Sequence, residues 1–303
     1  MKIQKINDHL YLIDLEPVGF ENFIASYVIL GEKIAVVETG PASTVNNLLS
    51  CLNDIGINFE DVNFVAVSHI HLDHGGGAGT LMQHLPNAKL IVHPKGAPHL
   101  VNPEKLWTQS RQVLGKVAEL YEEPAPVSPE RIIQAADGMT IRLGRGIELE
   151  VLETLGHASH HLSYDEKNSG ILFPGDAAGI YLNQFDIIVP TTPPPFYMET
   201  ALSSIDKIIR KSPKLLCYTH FGVANNAIEK LERHATQLRL WAEIVVEGIK
   251  KGETLEIITE QIQQRDPAIK AVIDYMKTHP ILSRGVVKQN VQGFMEYFLK
   301  QQK

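Results

Sequence analysis

The sequence predicts an α/β fold in residues 1–223 and a helical C-terminal module in residues 224–303. In the first part, short apolar and β-branched runs alternate with segments whose apolar residues recur at helical spacing. In the second part almost every segment has helical spacing. The breaks between these helices are expected near Gly252, Asp266-Pro267 and His279-Pro280. Alternating strands and helices are typical of a sheet covered by helices, and the remaining stretch has the length of an appended domain.

Four strands and one helix are predicted before the main polar cluster. The strands are rich in valine, isoleucine and aromatic residues, and they are residues 9–15, 23–30, 34–37 and 62–67. Residues 41–55 carry apolar side chains at helical spacing, and Ser43 or Thr44 is expected to cap that helix. The polar cluster begins directly after the fourth strand, so we expect it at the end of a strand.

The rest of the first part continues the alternation. The predicted helices are residues 77–85, most of 94–121, and 201–210. The predicted strands are residues 89–92, several between 131 and 154, 162–164, 170–173 and, as the last one, 214–219. Residues 122–129 (EEPAPVSP) and 191–195 (TTPPP) are predicted to be loops, because proline cannot donate a backbone hydrogen bond.

Composition argues against several classes of protein. The chain has 35 acidic and 28 basic residues, so no overall positive field would draw it to nucleic acid. Its two cysteines, Cys51 and Cys217, lie far apart in apolar segments, which predicts buried thiols and no disulfide framework. We find no signal peptide and no run of about 18 apolar residues, and we therefore expect a cytoplasmic protein without a membrane partner.

The strongest functional signal is the run from Ser68 to Gly77, SHIHLDHGGG. Its three histidines and one aspartate are ligands that borderline divalent metals accept. His69 and His71 project to one side of an extended chain, whereas Asp73 and His74 follow in a turn and can point elsewhere. The spacing predicts two adjacent metal sites. The alternative is a polar loop whose histidines cap helices, but a chance H-x-H-x-D-H match is expected in only about one of a thousand such sequences.

The run HIHLDHGGG resembles the signature of the metallo-β-lactamase superfamily. Later segments resemble the family's remaining motifs, in the family's order and each after a predicted strand: Gly156-His157, Gly175-Asp176 and Thr219-His220. The resemblance covers about residues 1–223, which would be the catalytic domain. It implies an αβ/βα sandwich, in which two mixed sheets pack face to face, helices cover the outside and metals bind at one edge.

The same resemblance implies a dinuclear metal centre. Carried over residue by residue, one ion would be held by His69, His71 and His157, the other by Asp73, His74 and His220, with Asp176 bridging them. Zinc is expected first, with iron or manganese as alternatives. Glu38 stands where most members have an aspartate that supports the ligands, and its longer side chain departs from that pattern.

Such a centre implies hydrolysis. Two cations that share a bridging water can leave it as hydroxide at neutral pH, and Asp73 is the catalytic residue expected to orient it. The segment TLGHASHHLSY around His157 resembles the glyoxalase-II-like branch, which predicts a small-molecule thioester, lactone or other ester as substrate. The basic residues with which that branch binds glutathione have no match in residues 224–303, and the last motif, YTHFG, also differs.

Two other hypotheses remain open. One is a persulfide-dioxygenase-like enzyme with a single iron ion, in which Asp73, His74 and His220 support the site by hydrogen bonds. The other is a non-catalytic metal-binding protein whose helical module docks a partner. Metal content and turnover would distinguish the three.

Four further residues are candidates for the pocket wall or for supporting contacts: His161, Tyr181, Tyr197 and Tyr218. His161 follows the second motif, Tyr181 and Tyr197 lie in the loop predicted after Asp176, and Tyr218 precedes the last motif. The helical module is expected to pack on its own domain, cover the metal edge or form a homodimer.

Overall fold

The computed structural model describes residues 2–301 and contains fifteen strands and ten α-helices in that range. The strands are β1 (Ile3–Lys5), β2 (Leu10–Asp14), β3 (Ala25–Leu30), β4 (Ile34–Val37), β5 (Val62–Ala66), β6 (Lys89–Val92), β7 (Ile132–Gln134), β8 (Thr140–Gly144), β9 (Ile147–Glu153), β10 (Leu162–Glu166), β11 (Ile171–Phe173), β12 (Ile180–Leu182), β13 (Ile187–Val189), β14 (Leu215–Tyr218) and β15 (Gly222–Ala224). The helices are α1 (Val45–Asp54), α2 (Ala78–His84), α3 (Ala97–Val101), α4 (Glu104–Leu114), α5 (Lys116–Tyr121), α6 (Met198–Arg210), α7 (Ala227–Lys251), α8 (Leu255–Arg265), α9 (Pro267–Thr278) and α10 (Val286–Gln301).

Two mixed sheets carry most of the strands. The first sheet has the order β1-β2-β3-β4-β5-β6-β7, the second has the order β15-β14-β11-β10-β9-β8, and β12 and β13 form a separate hairpin. Strands β4 to β7 are parallel in the first sheet, and β11 and β14 are parallel in the second. Parallel neighbours end at the same edge of a sheet, so the segments that follow them meet there.

Strand residues alternate between two hydrophobic cores. Ala35 and Val37 of β4 belong to a core formed by inner faces of both sheets, whereas Val36 belongs to the core under the helices. In β9, Leu149 and Val151 lie in the inner core and Leu152 under the helices. This alternation gives two sheets face to face with helices outside. The predicted sandwich of two mixed sheets covered by helices is confirmed.

The C-terminal helices α7 to α10 confirm the predicted helical region. Leu231 and Trp241 of α7 are fully buried in the same core as Leu172 of β11 and Leu216 of β14. Side chains of these helices therefore belong to the same continuous apolar core as side chains of the second sheet. The predicted division after residue 223 falls within β15 and stays a prediction.

Three local expectations are wrong. Thr44 precedes α1, but its hydroxyl donates to the Pro41 carbonyl at 3.0 Å, because a short 3₁₀ turn comes before the helix. The stretch after Asp176 contains the hairpin β12–β13, and β15 follows the strand that was expected to be the last. Strands of three residues are too short to show an alternating pattern.

The two cysteines are buried free thiols, as predicted. Between residues 2 and 301, none of the helices combines the length and the apolarity that crossing a bilayer requires.

Candidate metal centre

The seven side chains predicted to bind metal lie together at one edge of the sandwich. They follow four strands: residues 69–74 come after β5, His157 after β9, Asp176 after β11 and His220 after β14. They form three overlapping groups, and within each group the possible ligand atoms lie within 4.8 Å of one another. The groups are His69-His71-His157, His69-His74-Asp176 and Asp73-His74-His220.

A tight turn after β5 lets one short segment supply four of these side chains. The His74 N–H donates to the His71 carbonyl at 3.0 Å and closes the turn. At Gly76 a Cβ would overlap the carbonyl oxygen of Leu72, so a larger residue would force the turn open. The glycines of the motif therefore help to orient its metal-binding side chains.

The first group consists of His69, His71 and His157. His71 Nδ1 lies 2.9 Å from His69 Nε2 and 3.1 Å from His157 Nε2. Three nitrogens bonded to one tetrahedral zinc ion at about 2.0–2.1 Å would lie about 3.3–3.4 Å apart. The observed spacings are shorter by only a few tenths of an ångström, so these nitrogens fit a single ion.

The second group consists of Asp73, His74 and His220. His220 Nε2 lies 3.4 Å from Asp73 Oδ2. Both imidazoles are buried, whereas the Asp73 side chain is 25% exposed, and His71 is also partly exposed. The centre is therefore open to solvent on the side of Asp73 and His71.

The Asp176 carboxylate lies between the two groups. Its Oδ2 lies 3.4 Å from His157 Nε2, and its Oδ1 lies 3.2 Å from His74 Nε2 and 3.8 Å from His220 Nε2. His74 Nε2 and Asp176 Oδ1 are buried, and neither has a hydrogen-bond partner in the part of the chain that the structure describes. Buried polar atoms nearly always have a partner, and a cation between these two would supply it. The donor set fits divalent metal.

Hydrogen bonds at the far ring nitrogen orient two of the imidazoles. His157 Nδ1 donates to the Thr191 carbonyl at 2.9 Å, and His220 Nδ1 donates to the Phe23 carbonyl at 3.2 Å. Each bond keeps the proton on Nδ1 and leaves the Nε2 lone pair free for a metal.

Glu38 contacts the second group at the Nδ1 side of the His74 ring. Its Oε1 lies 3.4 Å from His74 Nδ1 and accepts the Ser68 N–H at 3.2 Å. Glu38 is 2% exposed and directly follows β4 with a φ of 68°, a turn of the backbone out of the strand. The supporting contact expected of an aspartate at this position is made here by the longer glutamate.

Burial sets the charge of the first group. Burial and neighbouring histidines lower the pKa values of His69 and His71 well below the ordinary value. Burial also lowers the pKa of His157, although the nearby Asp176 carboxylate opposes it. At neutral pH these three imidazoles are therefore neutral, which is the form that binds metal.

Asp73, Asp176 and His74 are charged at neutral pH, in contrast to the first group. Burial would raise the pKa of Asp73 and of Asp176, but the neighbouring imidazoles lower both pKa values below the ordinary range. Burial would lower the pKa of His74, but the Asp176, Glu38 and Asp73 carboxylates raise it well above its ordinary value. In the metal-free protein the second group therefore holds a proton that the first group lacks.

His161 positions the Asp176 turn. Its Nε2 accepts the Asp176 N–H at 3.0 Å, and its Nδ1 lies 2.9 Å from Thr154 Oγ1. Gly175, in the same turn, has a φ of 53°, and a Cβ there would lie 2.7 Å from His161 Nε2. The buried His161 thus touches the backbone of one candidate ligand.

The three tyrosines lie in different surroundings. Tyr218 is fully buried and stacks on Tyr181 with the ring centroids 4.9 Å apart. Its hydroxyl has no hydrogen-bond partner within residues 2–301, whereas the Tyr181 hydroxyl donates to Asp186 at 2.7 Å. Tyr197 is 50% exposed at the start of α6. The structure therefore places Tyr181 and Tyr218 against each other in the core under the helices.

Several groups around the centre carry no sequence signal. The carbonyls of Thr191 and Phe23 hold imidazoles, but a backbone carbonyl is present in every residue. Ser68 Oγ lies 3.0 Å from His69 Nδ1, and its position directly before the motif is the one available clue. His160, by contrast, stands in the quoted segment around His157. It lies beside His71, with ring centroids 5.8 Å apart, and burial lowers its pKa to about 4.

Known proteins are similar to this chain over most of its length. A metallo-beta-lactamase fold-containing protein of Sulfurisphaera tokodaii is 28% identical over 260 residues, which cover 84% of this chain and 93% of that protein. A probable metallo-hydrolase of Methanocaldococcus jannaschii is 28% identical over 156 residues, 52% of this chain and 68% of that protein.

Solved structures share the fold. The crystal structure of a metallo-beta-lactamase family protein from Thermus thermophilus aligns with a TM-score of 0.73 and 20% identity, covering 98% of this chain and 95% of that one. The profile of the metallo-beta-lactamase superfamily matches residues 19–220, a span that includes all seven candidate ligands. The chain belongs to the metallo-beta-lactamase superfamily.

Proposed function

We propose that this chain is a hydrolase that uses two divalent cations, zinc in the first place, to cleave a thioester, lactone or other ester of a small molecule. The observation that carries the proposal is the position of Asp176. One of its oxygens faces His157 of the first group and the other faces His74 of the second. A carboxylate with this placement can bridge two ions.

The two ions, when bound, would lower the pKa of a shared water enough for it to attack a carbonyl carbon. The side chains supply the rest. Asp73 is ionised and partly exposed, so it can accept a hydrogen bond from a water molecule and orient it. The buried imidazoles exclude water from the other sides, which strengthens electrostatic contacts inside the centre.

The second group favours two ions over one. In a centre with a single iron, Asp73, His74 and His220 would only form hydrogen bonds. Their possible ligand atoms lie within the same 4.8 Å limit as those of the first group. His74 Nε2 and Asp176 Oδ1 make no hydrogen bond despite a separation of 3.2 Å. A second cation bound between these two atoms would satisfy both of them.

Thioesters and lactones are the first substrates to test, because the segment around His157 resembles the glyoxalase-II-like branch. A glutathione thioester in particular is not favoured, since basic residues for that tripeptide have no match in the helical region. The relative named as a probable metallo-hydrolase supports hydrolysis as the type of reaction.

Metal analysis and an activity panel test the proposal together. We expect about two zinc ions per chain by mass spectrometry of the purified full-length protein, and turnover of at least one of a thioester, a lactone and a p-nitrophenyl ester. Asp176→Asn should lower kcat/KM by about hundredfold or more, whereas His84→Gln, a change at an exposed histidine of α2, should leave it unchanged. One iron per chain with thiol-dependent oxygen uptake would contradict the proposal, as would full metal content without turnover on the whole panel.

A further inference from the structure

The C-terminal helix α10 is bonded to the proline-rich loop beside the metal centre. Asn290 of α10 is 2% exposed. Its Oδ1 accepts the Thr192 N–H at 2.7 Å, and its Nδ2 donates to the Pro190 carbonyl at 2.6 Å. The Thr192 hydroxyl also donates to the Asn290 carbonyl at 3.0 Å. One asparagine thus holds the loop on both sides of Thr191.

Thr191 is the residue whose carbonyl accepts the His157 Nδ1 proton, at 2.9 Å. The loop lies outside the strands, and the prolines at 190, 193, 194 and 195 have no N–H to donate. The position of this carbonyl therefore depends on side-chain bonds such as those of Asn290. Asn290 therefore bonds the loop directly, and the Thr191 carbonyl of that loop bonds His157.

Close packing keeps α10 in this position. At Gly293, one turn after Asn290, a Cβ would overlap the Thr192 carbonyl oxygen, so the helix approaches the loop as closely as glycine permits. Phe294 packs on Phe196, which ends the same loop, with ring centroids 4.8 Å apart. These three α10 residues lie on one helix face, because residues three and four apart are neighbours on a helix.

We propose that Asn290 is a positioning residue for the first metal ion: by fixing the Thr191 carbonyl it sets the tautomer and orientation of His157. The inference rests on the proposed metal centre and is independent of the substrate. Groups that orient a metal-binding histidine usually contribute ten- to hundredfold to metal affinity. Since Asn290 acts through the loop, we expect the lower end, about tenfold.

The test compares zinc binding by the metal-free full-length chain and its Asn290→Ala variant, in competition with a chromophoric chelator. We expect one of the two zinc ions to bind about tenfold more weakly in the variant. The matched control is Asn47→Ala, since Asn47 Nδ2 also bonds a loop carbonyl, that of Leu15 at 2.9 Å, but none of the seven ligands. The control should lose stability in urea without losing zinc affinity.

A second readout separates positioning from general loosening. In the imidazole nitrogen NMR spectrum of the metal-free protein, the His157 Nδ1–H signal should shift or broaden in Asn290→Ala, while the signals of His69 and His71 stay in place. If Asn290→Ala does not fold, Asn290→Asp replaces it in the test. This variant keeps the shape of the side chain and the acceptor for the Thr192 N–H, but it places an oxygen against the Pro190 carbonyl. It should show the same effects on zinc affinity and on the His157 signal. Unchanged zinc affinity and an unchanged His157 signal in a folded variant would overturn the inference. A wild-type chain that binds no second ion would instead contradict the proposed function.

Discussion

Zinc binding at the second group should depend on pH, and binding at the first group should not. In the metal-free protein the pKa of His74 is raised well above its ordinary value, because burial is outweighed by the Asp176, Glu38 and Asp73 carboxylates. At neutral pH the ring is therefore protonated on both nitrogens. The Nε2 proton then occupies the lone pair with which His74 would bind a metal ion, 3.2 Å from Asp176 Oδ1. Metal and proton compete for one lone pair.

The size of the effect follows from this competition. Below the pKa of His74, each ion that binds releases one proton, so the association constant falls about tenfold for each pH unit. Over one and a half pH units below the pKa of His74 the loss is therefore about thirtyfold. His69, His71 and His157 have lowered pKa values and release no proton in this range, so the constant of the first ion should change little.

The assay is a zinc titration of the metal-free protein at several pH values against a chelator whose own pH dependence is known. Calorimetry in buffers of different ionisation enthalpy gives the number of protons released. Glu38→Gln removes one charge that raises the pKa of His74, while its amide oxygen can still accept the Nδ1–H, so the pH dependence should begin at lower pH. If both constants change in parallel, or if no proton is released with the second ion, the reasoning is wrong.

Three substitutions test other parts of the centre. Asp176→Asn should lower the zinc content below two ions per chain and kcat/KM by about hundredfold or more, since both groups lose a shared ligand; full zinc content would contradict the bridging position. Tyr27→Phe removes a bond of 2.6 Å from the buried Tyr27 hydroxyl to the Tyr218 carbonyl and should lower the free energy of unfolding in urea by about 1–2 kcal/mol. Tyr218→Phe removes a buried hydroxyl without a partner in the described chain, so the free energy of unfolding should stay the same or rise by up to about 1 kcal/mol. Turnover should persist, and its loss would show that this hydroxyl contacts the substrate.

Most of the site could be predicted because its residues are marked locally. The four side chains of residues 69–74 stand in one run, and their arrangement follows from a strand that ends in a turn. His157, Asp176 and His220 each follow a strand that the apolar pattern reveals, and strands of a sandwich end at a common edge. The sequence thus indicated which side chains meet. It could not indicate which oxygen of Asp176 faces which imidazole, because that depends on the packing of both sheets.

The short elements escaped prediction for a different reason. The hairpin β12–β13 has three residues in each strand. Three residues are too few to show the alternation of apolar and polar residues that predicts a strand. The sequence therefore predicts Tyr181 in a loop, whereas it lies in β12 and its hydroxyl donates a hydrogen bond to Asp186. Side chains in such elements are positioned by tertiary contacts that leave no period in the sequence.

The C-terminal helices show what a local pattern leaves open. Their continuous helical spacing predicts a helical module, and Trp241 of this region lies in the same apolar core as Leu172 of the second sheet. Asn290 bonds Thr192 and Pro190, which precede it in the chain by 98 and 100 residues. Helical periodicity identifies which face of a helix is buried but not what that face covers. A polar residue on a buried face, such as Asn290, is the remaining clue, because it must find a partner there and that partner can belong to the active centre.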